Sequence, residues 1–405
     1  MLEVRRIKAD EVTEADKIGT IAFHGRRDYT KEEAPDPFAE PHYWTWGAFE
    51  NGKMTSKIIE IPYVMRFDGN DAKMSGIGGV STLPEARQGG KIRSIFEALL
   101  KDAYAGGVVF SCLAPFSHQF YRRFGYELCC TRKEMRVPIH EFFPLKSDGV
   151  FEQIFPGGDT SGLKTVHESY IVDKNHAIRR DFWPDDIAWR DFTRQDPYNT
   201  GWYIYLLRDR SNGAPRGYIK FQHRRAAEGS EINVRELLFL DRKALYALLA
   251  FAGSLSAEIR EFVWVMPGFI DPSDFAEVAW NVKQRLMPQD MTRIVNVKAA
   301  LELMRRPEGE GSYVIETEDP IIPENNGRWL VEFGPEGGLE GSRVSLTNKA
   351  ADLVCELPAL AQLITGYRTL ESLMLTSRLR VEARGDARLL HKVFTLRPQH
   401  LTENF

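Results

Sequence analysis

The run Gly79-Val80-Ser81-Thr82-Leu83-Pro84-Glu85-Ala86-Arg87-Gln88-Gly89-Gly90-Lys91-Ile92 takes an apolar segment through a basic, glycine-containing loop straight into a helical pattern. Gly89 and Gly90 permit backbone conformations that leave N–H groups unpaired, and the first turn of any helix has orphan N–H groups of its own. Both sets carry partial positive charge and converge on one spot, so the loop is a seat for an anion. Ile92, Ile95, Phe96, Leu99 and Leu100 recur at i, i+3, i+4, i+7 and i+8. That spacing predicts a helix over 91–105 with one face buried against a sheet, and the packing of that face fixes where the loop sits.

The spacing Arg87-x-x-Gly90, after a strand ending in Val80, Ser81 and Thr82, resembles the acetyl-coenzyme A loop of the GCN5-related N-acetyltransferases. Downstream, 108–113 reads as a second apolar strand and leads to Phe120-Tyr121-Arg122-Arg123-Phe124-Gly125-Tyr126-Glu127. Those enzymes place a short tyrosine-bearing helix and an F-G-Y or F-G-F turn there. The tandem of this segment, a long middle segment and a tail beginning Met291-Thr292-Arg293-Ile294-Val295-Asn296 resembles the Eis (enhanced intracellular survival) family over essentially the whole chain. The resemblance implies a mixed α+β and α/β architecture of three domains. Two tandem acetyltransferase-like domains, each a central mixed sheet flanked by helices, span 1–145 and 146–288, the first catalytic and the second degenerate. A sterol-carrier-protein-like α+β domain spans 289–405.

The residues support this order independently. After a helical pattern over 13–23, the segments 44–50, 54–67 and 72–83 are joined by Asn51-Gly52 and Asp68-Gly69-Asn70, which are hairpin signals. The order of three strands, a helix and a strand then returns from Gly201, with strands at 201–208, 216–223 and 231–240, a helix at 242–256 and a strand at 261–266. It is a repeat of pattern rather than of residues. The second copy passes from Phe239-Leu240 through Asp241-Arg242-Lys243 into its helix with no glycine, so it is not expected to bind coenzyme A. From Met291 a helix over 297–305 precedes strands at 312–317, 328–333 and 343–347 and helices near 356–365 and 386–393. Their apolar faces are read as that domain's own core rather than a lipid pocket.

A chain of 405 residues exceeds a single core, and its 43% hydrophobic and 27% charged content is that of a globular protein. A net charge of −4 argues against nucleic-acid binding, which needs a basic surplus, and suits a cationic substrate. No stretch reads as a signal peptide or membrane span, so a cytoplasmic protein without a membrane partner is expected. Four cysteines, Cys112, Cys129, Cys130 and Cys355, fit a reduced compartment. The histidines have no zinc-ligand spacing, and no metal is expected.

By the resemblance, acetyl-CoA is the co-substrate and a small-molecule or peptidyl amine the acceptor. Val80 and Thr82 would line the pantetheine arm, with a backbone N–H near Val80 facing the developing oxyanion. Arg87, Gln88, Gly90, Lys91 and Ile92 would hold the pyrophosphate. Tyr121 matches the family's general acid, because a phenol with an ordinary pKa near ~10 is protonated at neutral pH; core packing is its alternative, and Tyr126 its neighbour in the turn. The chain ends in Glu403-Asn404-Phe405, and the family ends on an aromatic residue whose free carboxylate serves as base. Phe23, Trp44 and Trp46 are candidate substrate-pocket aromatics. Asn404 and Gly25 stand where acids are expected, which argues against broad aminoglycoside acetylation. The resemblance also implies a homo-oligomer, a hexamer built as a dimer of trimers. A lipid or acyl carrier, or an acetyl-CoA-binding regulator without turnover, are the alternative functions.

Overall fold

The computed structural model describes residues 2–31, 43–183, 186–195, 197–226, 229–255, 257, 259–271, 275–276, 278–335, 342–382 and 385–403. Contacts divide the chain into two compact units: Met1–Cys129 with Asp290–Arg397 and the residues from Glu403 on, and Cys130–Gln289 with Pro398–Thr402.

The first unit begins with β1 (Leu2–Arg6), α1 (Val12–Ala22), β2 (Trp44–Glu50), β3 (Lys53–Phe67) and β4 (Asn70–Thr82). These four strands are antiparallel neighbours in sequence order. Asn51-Gly52 and Asp68-Gly69 both have positive φ at their two residues, the left-handed pair that a tight hairpin between right-twisted strands requires. The helix α2 (Lys91–Ala105) then crosses over to β5 (Phe110–Leu113), which lies parallel to β4. The α2 bounds are those expected from its apolar spacing. Ile95, Phe96, Leu99 and Leu100 pack with Trp46, Ile58, Ile77 and Leu113 on one face of the sheet. On the other face Ala15 and Ile18 of α1 meet Phe49, Met54 and Leu83. The short α3 (His118–Arg122) follows.

The chain passes into the second unit within β6 (Glu127–Pro138). There follow β7 (Val150–Gln153), α4 (Ser161–Ile171), α5 (Ile187–Thr193), β8 (Trp202–Arg208), β9 (Pro215–Ala226), β10 (Gly229–Phe239), α6 (Arg242–Ser254) and β11 (Ile259–Pro267). Strands β7 to β10 are antiparallel in order, α6 crosses over, and β11 lies parallel to β10, so the order of the first copy recurs. The sixth strand of each copy comes from an unexpected place. Within the second unit β11 takes β6 as its antiparallel neighbour, through Arg132–Pro138, although β6 directly follows α3 of the first copy. Within the first unit β5 takes β12 (Lys283–Ile294), through Met291–Ile294, although β12 follows β11. The copies have exchanged their sixth strands.

The remainder of the first unit is α7 (Val297–Leu303), β13 (Gly311–Thr317), β14 (Gly327–Phe333), β15 (Arg343–Leu346), β16 (Leu353–Cys355), α8 (Leu357–Ile364), α9 (Leu370–Met374), β17 (Leu379–Val381) and α10 (Ala387–Val393). Its five strands order as β15-β14-β13-β16-β17, with β13 and β16 parallel. Helix α8 is buried on nearly every side, which explains why its sequence is apolar except at Gln362, whose amide donates to Leu128 O at 2.8 Å. Among the described residues no helix is long and apolar enough to cross a membrane.

Candidate active site

Strands β4 and β5 pair from Met74 and Phe110 up to Ile77 and Leu113, and there the pairing stops while β4 runs on to Thr82. The β3–β4 register also slips here, with Lys57 opposite Ser81 but Ile59 opposite Gly78. Gly79 in this bulge has a φ of +56°, and a Cβ on it would press on Ile59. The β4 edge beyond Ile77 is thus a fork that can accept an extended ligand arm. Val80 lies on this stretch, half-buried against the α2 core, and the Thr82 hydroxyl is bonded to Ser56 Oγ at 3.0 Å.

From the fork the chain makes a turn over Pro84–Ala86 and reaches α2 through Gln88 and Gly90, whose φ values are +69° and +70°. Gly90 is the N-cap of α2 and has no side chain to satisfy the first-turn N–H groups, and that turn contains no acid. Its position is open, because a Cβ there would meet nothing within 4 Å. Arg87 and Lys91 border a cavity of about 300 Å³ together with Glu50 and Lys53. The Lys91 side chain is buried, 3.3 Å from both Ala86 O and Glu50 Oε2. Of Lys91 the backbone N–H faces the helix mouth, whereas its ammonium braces the loop from behind. Gly89 makes room for it: a Cβ there would lie 2.5 Å from Nζ.

The second copy handles the same helix terminus differently. Asp241 caps α6 by accepting the Ala244 N–H at 2.9 Å, and it pairs with Arg216 at 2.5 Å. A carboxylate therefore sits where the first copy leaves room for an anion.

Tyr121 is buried in α3 and packs in the cluster that contains Ile77 and Leu113, the last paired residues of the fork. Its ring meets Phe116 and Phe120 edge-on at 5.2 and 5.1 Å. Burial pushes its phenol well above the ordinary tyrosine range, so it is held protonated. Its hydroxyl has no hydrogen bond among the described residues. Tyr126 is fully buried and its hydroxyl lies 2.7 Å from Ser111 Oγ, which in turn donates to Ser75 O at 2.9 Å. That hydroxyl is engaged in the core.

Phe405 and Asn404 lie outside the described residues. Glu403 lies near Tyr63 of β3, whose phenol is raised by burial and by the Glu403 charge. Side chains alternate along β3, and Lys57 lies against Gly19 of α1, so Lys57, Ile59, Ile61 and Tyr63 point to the α1 face. Tyr121 is on the α2 face.

The three aromatics are not gathered into one wall. Trp46 is buried on the α2 face and donates from Nε1 to Glu60 Oε2 at 2.8 Å, which makes it a core residue. Trp44 stands on the same face, part-exposed beneath the Arg6 guanidinium at 4.4 Å. Phe23 ends α1 on the opposite side and is 64% exposed, so it alone of the three is open to a ligand on the α1 face.

Sequence reasoning missed two buried carboxylates. Glu60 accepts from Trp46 and from Ser75 Oγ at 2.6 Å, and its burial raises its pKa against these bonds. Glu127 is 1% exposed and accepts from Arg122 at 2.8 Å, Leu128 N at 3.0 Å and Arg378 at 2.7 Å. Burial opposes ionisation there, but these donors hold the carboxyl below its ordinary range. An acid two residues beyond the F-G turn is a signal for Glu127; its Arg378 partner is far away in sequence and gives none.

Comparison with known proteins identifies acetyltransferase and sterol carrier domains along the chain. The acetyltransferase (GNAT) domain family matches residues 3–129, a second acetyltransferase (GNAT) domain family matches 178–294, and the sterol carrier protein domain family matches 297–402. Similar solved structures include a probable N-acyltransferase from Enterococcus faecalis V583, with 24% identity and a TM-score of 0.86. A GCN5-related N-acetyltransferase from Anabaena variabilis has 19% identity and a TM-score of 0.86. Eis1 from Mycobacterium abscessus has 18% identity and a TM-score of 0.79. Each alignment covers 100% of both chains. No curated protein matches by sequence. The two acetyltransferase domains and the sterol carrier domain stand in the order expected from the resemblance to the Eis family.

Proposed function

The chain belongs to the GNAT acetyltransferases, and from that premise we propose that its first copy, within 1–145, moves the acetyl group of acetyl-CoA onto a primary amine. The acceptor is a polycationic small molecule of aminoglycoside-like type or a lysine side chain. Domains 146–288 and 289–405 are the degenerate copy and the sterol-carrier-like module that brings the chain terminus. The observation that carries the reading is the contrast between the two helix mouths: open at Gly90, filled by the Asp241 carboxylate in the second copy.

In this reading the pyrophosphate rests on the N–H groups around Gln88, Gly90, Lys91 and Ile92, with Arg87 beside it. The pantetheine arm lies along Val80–Thr82 in the fork, and the thioester reaches the end of the Ile77–Leu113 pairing. The amine nitrogen attacks the thioester carbon, the C–S bond breaks, and the departing sulfur takes the Tyr121 proton. The nitrogen gives up its proton to the Phe405 carboxylate. Support for this division comes from the two faces of the sheet: Tyr121 lies on the α2 face, and Glu403, two residues before the terminus, lies by Tyr63 on the α1 face. In this reading the sulfur receives its proton from the α2 face and the amine enters from the α1 face. Of the predicted pocket aromatics, Phe23 is assigned to the amine in this reading, supported by its exposure on the α1 face.

Calorimetry with acetyl-CoA, combined with thiol release over a panel of an aminoglycoside, a polyamine and a lysine peptide, tests the proposal. One acetyl-CoA per chain and amine-dependent thiol release are expected; two per chain, or binding without release for every amine, would overturn it.

A further inference from the structure

Helix α3 has five residues, too few to hold its own shape in water. Its start is capped by Ser117 Oγ, which accepts from Phe120 N at 3.3 Å. Its end is fastened by one near neighbour, Glu127, and by groups distant in sequence, all within the first unit. The last residue, Arg122, forks onto Glu127 with Nε–Oε2 at 3.0 Å and Nη2–Oε1 at 2.8 Å. The same carboxylate receives Arg378 Nη1 at 2.7 Å, and Arg378 Nε reaches Glu356 Oε2 at 3.2 Å at the start of α8. Between these points Arg293 of β12 donates to Phe124 O and pairs with Asp319 at 2.6 Å, both side chains fully buried. Gly125, with a φ of +83°, leaves room for that guanidinium, since a Cβ would collide with it.

We propose that Glu127 and Arg378 are positioning residues for the Tyr121 hydroxyl, with the sterol-carrier-like module acting as an external brace on the turn that follows it. The inference rests on the reading of Tyr121 as proton donor. A charge-assisted fork holds a planar guanidinium in one orientation, and Arg122 is covalently next to Tyr121. With the hydroxyl free of hydrogen bonds among the described residues, its aim is set by packing and by the contacts that fasten α3 and its turn, this fork among them. Arg293 and Asp319 brace the same turn, but as a buried pair they cannot be tested without risk to the fold. Arg378 is 27% exposed and makes the gentler perturbation.

Arg378→Met removes the brace, and Arg378→Lys keeps its charge without the guanidinium that bridges Glu127 and Glu356. Each is made in the full chain in the wild-type and Tyr121→Phe backgrounds. Turnover is read as thiol release from acetyl-CoA with the panel amine of highest rate, or with water alone, since the thiolate must be protonated in either case. Arg378→Met should lower kcat by ~10- to ~100-fold, as a displacement approaching ~1 Å does. Its acetyl-CoA Kd should stay within about twofold, Arg378→Lys should recover part of the loss, and in the Tyr121→Phe background Arg378→Met should cost nothing further. An equal loss in both backgrounds, or an unchanged kcat, overturns the proposal. If Tyr121→Phe itself keeps kcat within a few-fold, the proton-donor reading fails, a result separate from failure of the brace. Should Arg378→Met not fold, Glu127→Gln, which keeps the shape and can still accept from Leu128 N, carries the same comparison.

Discussion

Replacing Gly90 by aspartate tests the anion seat by placing a carboxylate in front of α2. The position is open, so the new side chain stands in the space where the pyrophosphate is proposed to lie. The φ of +70° strains an L-residue by ~1–2 kcal/mol, less for Asp and Asn, which tolerate the left-handed region. A negative charge at a helix N-terminus returns ~0.3–1 kcal/mol, so stability should change by no more than ~1 kcal/mol. Binding should change far more. A carboxylate ~4 Å from a phosphate charge costs ~1 kcal/mol at the dielectric of bulk water and ~4 kcal/mol at the effective value near a protein surface. These limits correspond to acetyl-CoA affinity weakened by ~5-fold to ~10³-fold. Gly90→Asn has nearly the same shape and backbone demands without the charge, so it is the control. Calorimetric titration of both variants at low and high salt should find Asn within a few-fold of wild type and Asp much weaker, with the gap narrowing as salt screens it. Equal affinities for the Asn and Asp variants would refute the assignment of the helix mouth as the pyrophosphate seat.

Tyr121→Phe should lose ~10²- to ~10⁴-fold in kcat and keep its acetyl-CoA Kd, and a rate within a few-fold of wild type would transfer proton donation to water. Extending the chain beyond Phe405 turns its carboxylate into an amide, so a C-terminally tagged enzyme should lose acetyl transfer but not acetyl-CoA binding; equal rates with and without the tag would send the search for a base to side chains of the first copy. In the second unit His167 and His176 are buried, and burial pulls their pKa values down to about 3 and about 4. Below the unfolded value near ~6.5 the unfolded chain binds protons that the folded one refuses, so stability falls with pH, by ~2 kcal/mol per histidine at pH ~5. A melting temperature flat from pH ~7 to ~5 would contradict this. The hexamer implied by the family resemblance is checked by light scattering, where a monomer at working concentration removes it.

What could be read from the sequence follows from how local the cause is. The bounds of α2 and the two hairpin turns are set by residues within a turn or two of one another, and spacing alone revealed them. The missing glycine before α6 was visible too, although only the structure places Asp241 on the Ala244 N–H. Trp46 was misjudged because alternation along β2 assigns residues to faces but not to core or pocket, and its partner Glu60 is fourteen positions away. Lys91 resembles a phosphate ligand in sequence; its ammonium turns inward because Glu50 and Ala86 O lie behind the loop. Glu127 gains its meaning from Arg378, and the pairing of β12 with β5 joins segments with the whole second copy between them. No window of sequence contains either cause.

The exchanged sixth strands bear on how such a protein can evolve. After a duplication, one copy is ordinarily free to decay and be deleted. Here the second copy, whose helix terminus is capped by Asp241, lies in sequence between the first copy and β12, the strand that pairs with β5 and carries Arg293 to the turn behind Tyr121. Deleting the middle of the gene back to a single copy would take from β5 its antiparallel partner and leave Asp319 without its buried arginine. On the proposed reading, substitutions around Asp241 closed the second helix mouth without touching the first sheet, whereas excision would break it, so the exchange would work as a ratchet that keeps the second copy in place. The same constraint faces anyone cutting a minimal enzyme from this chain: a fragment ending near residue 145 retains the loop and Tyr121 but not β12, which pairs with β5 and fastens the turn after Tyr121.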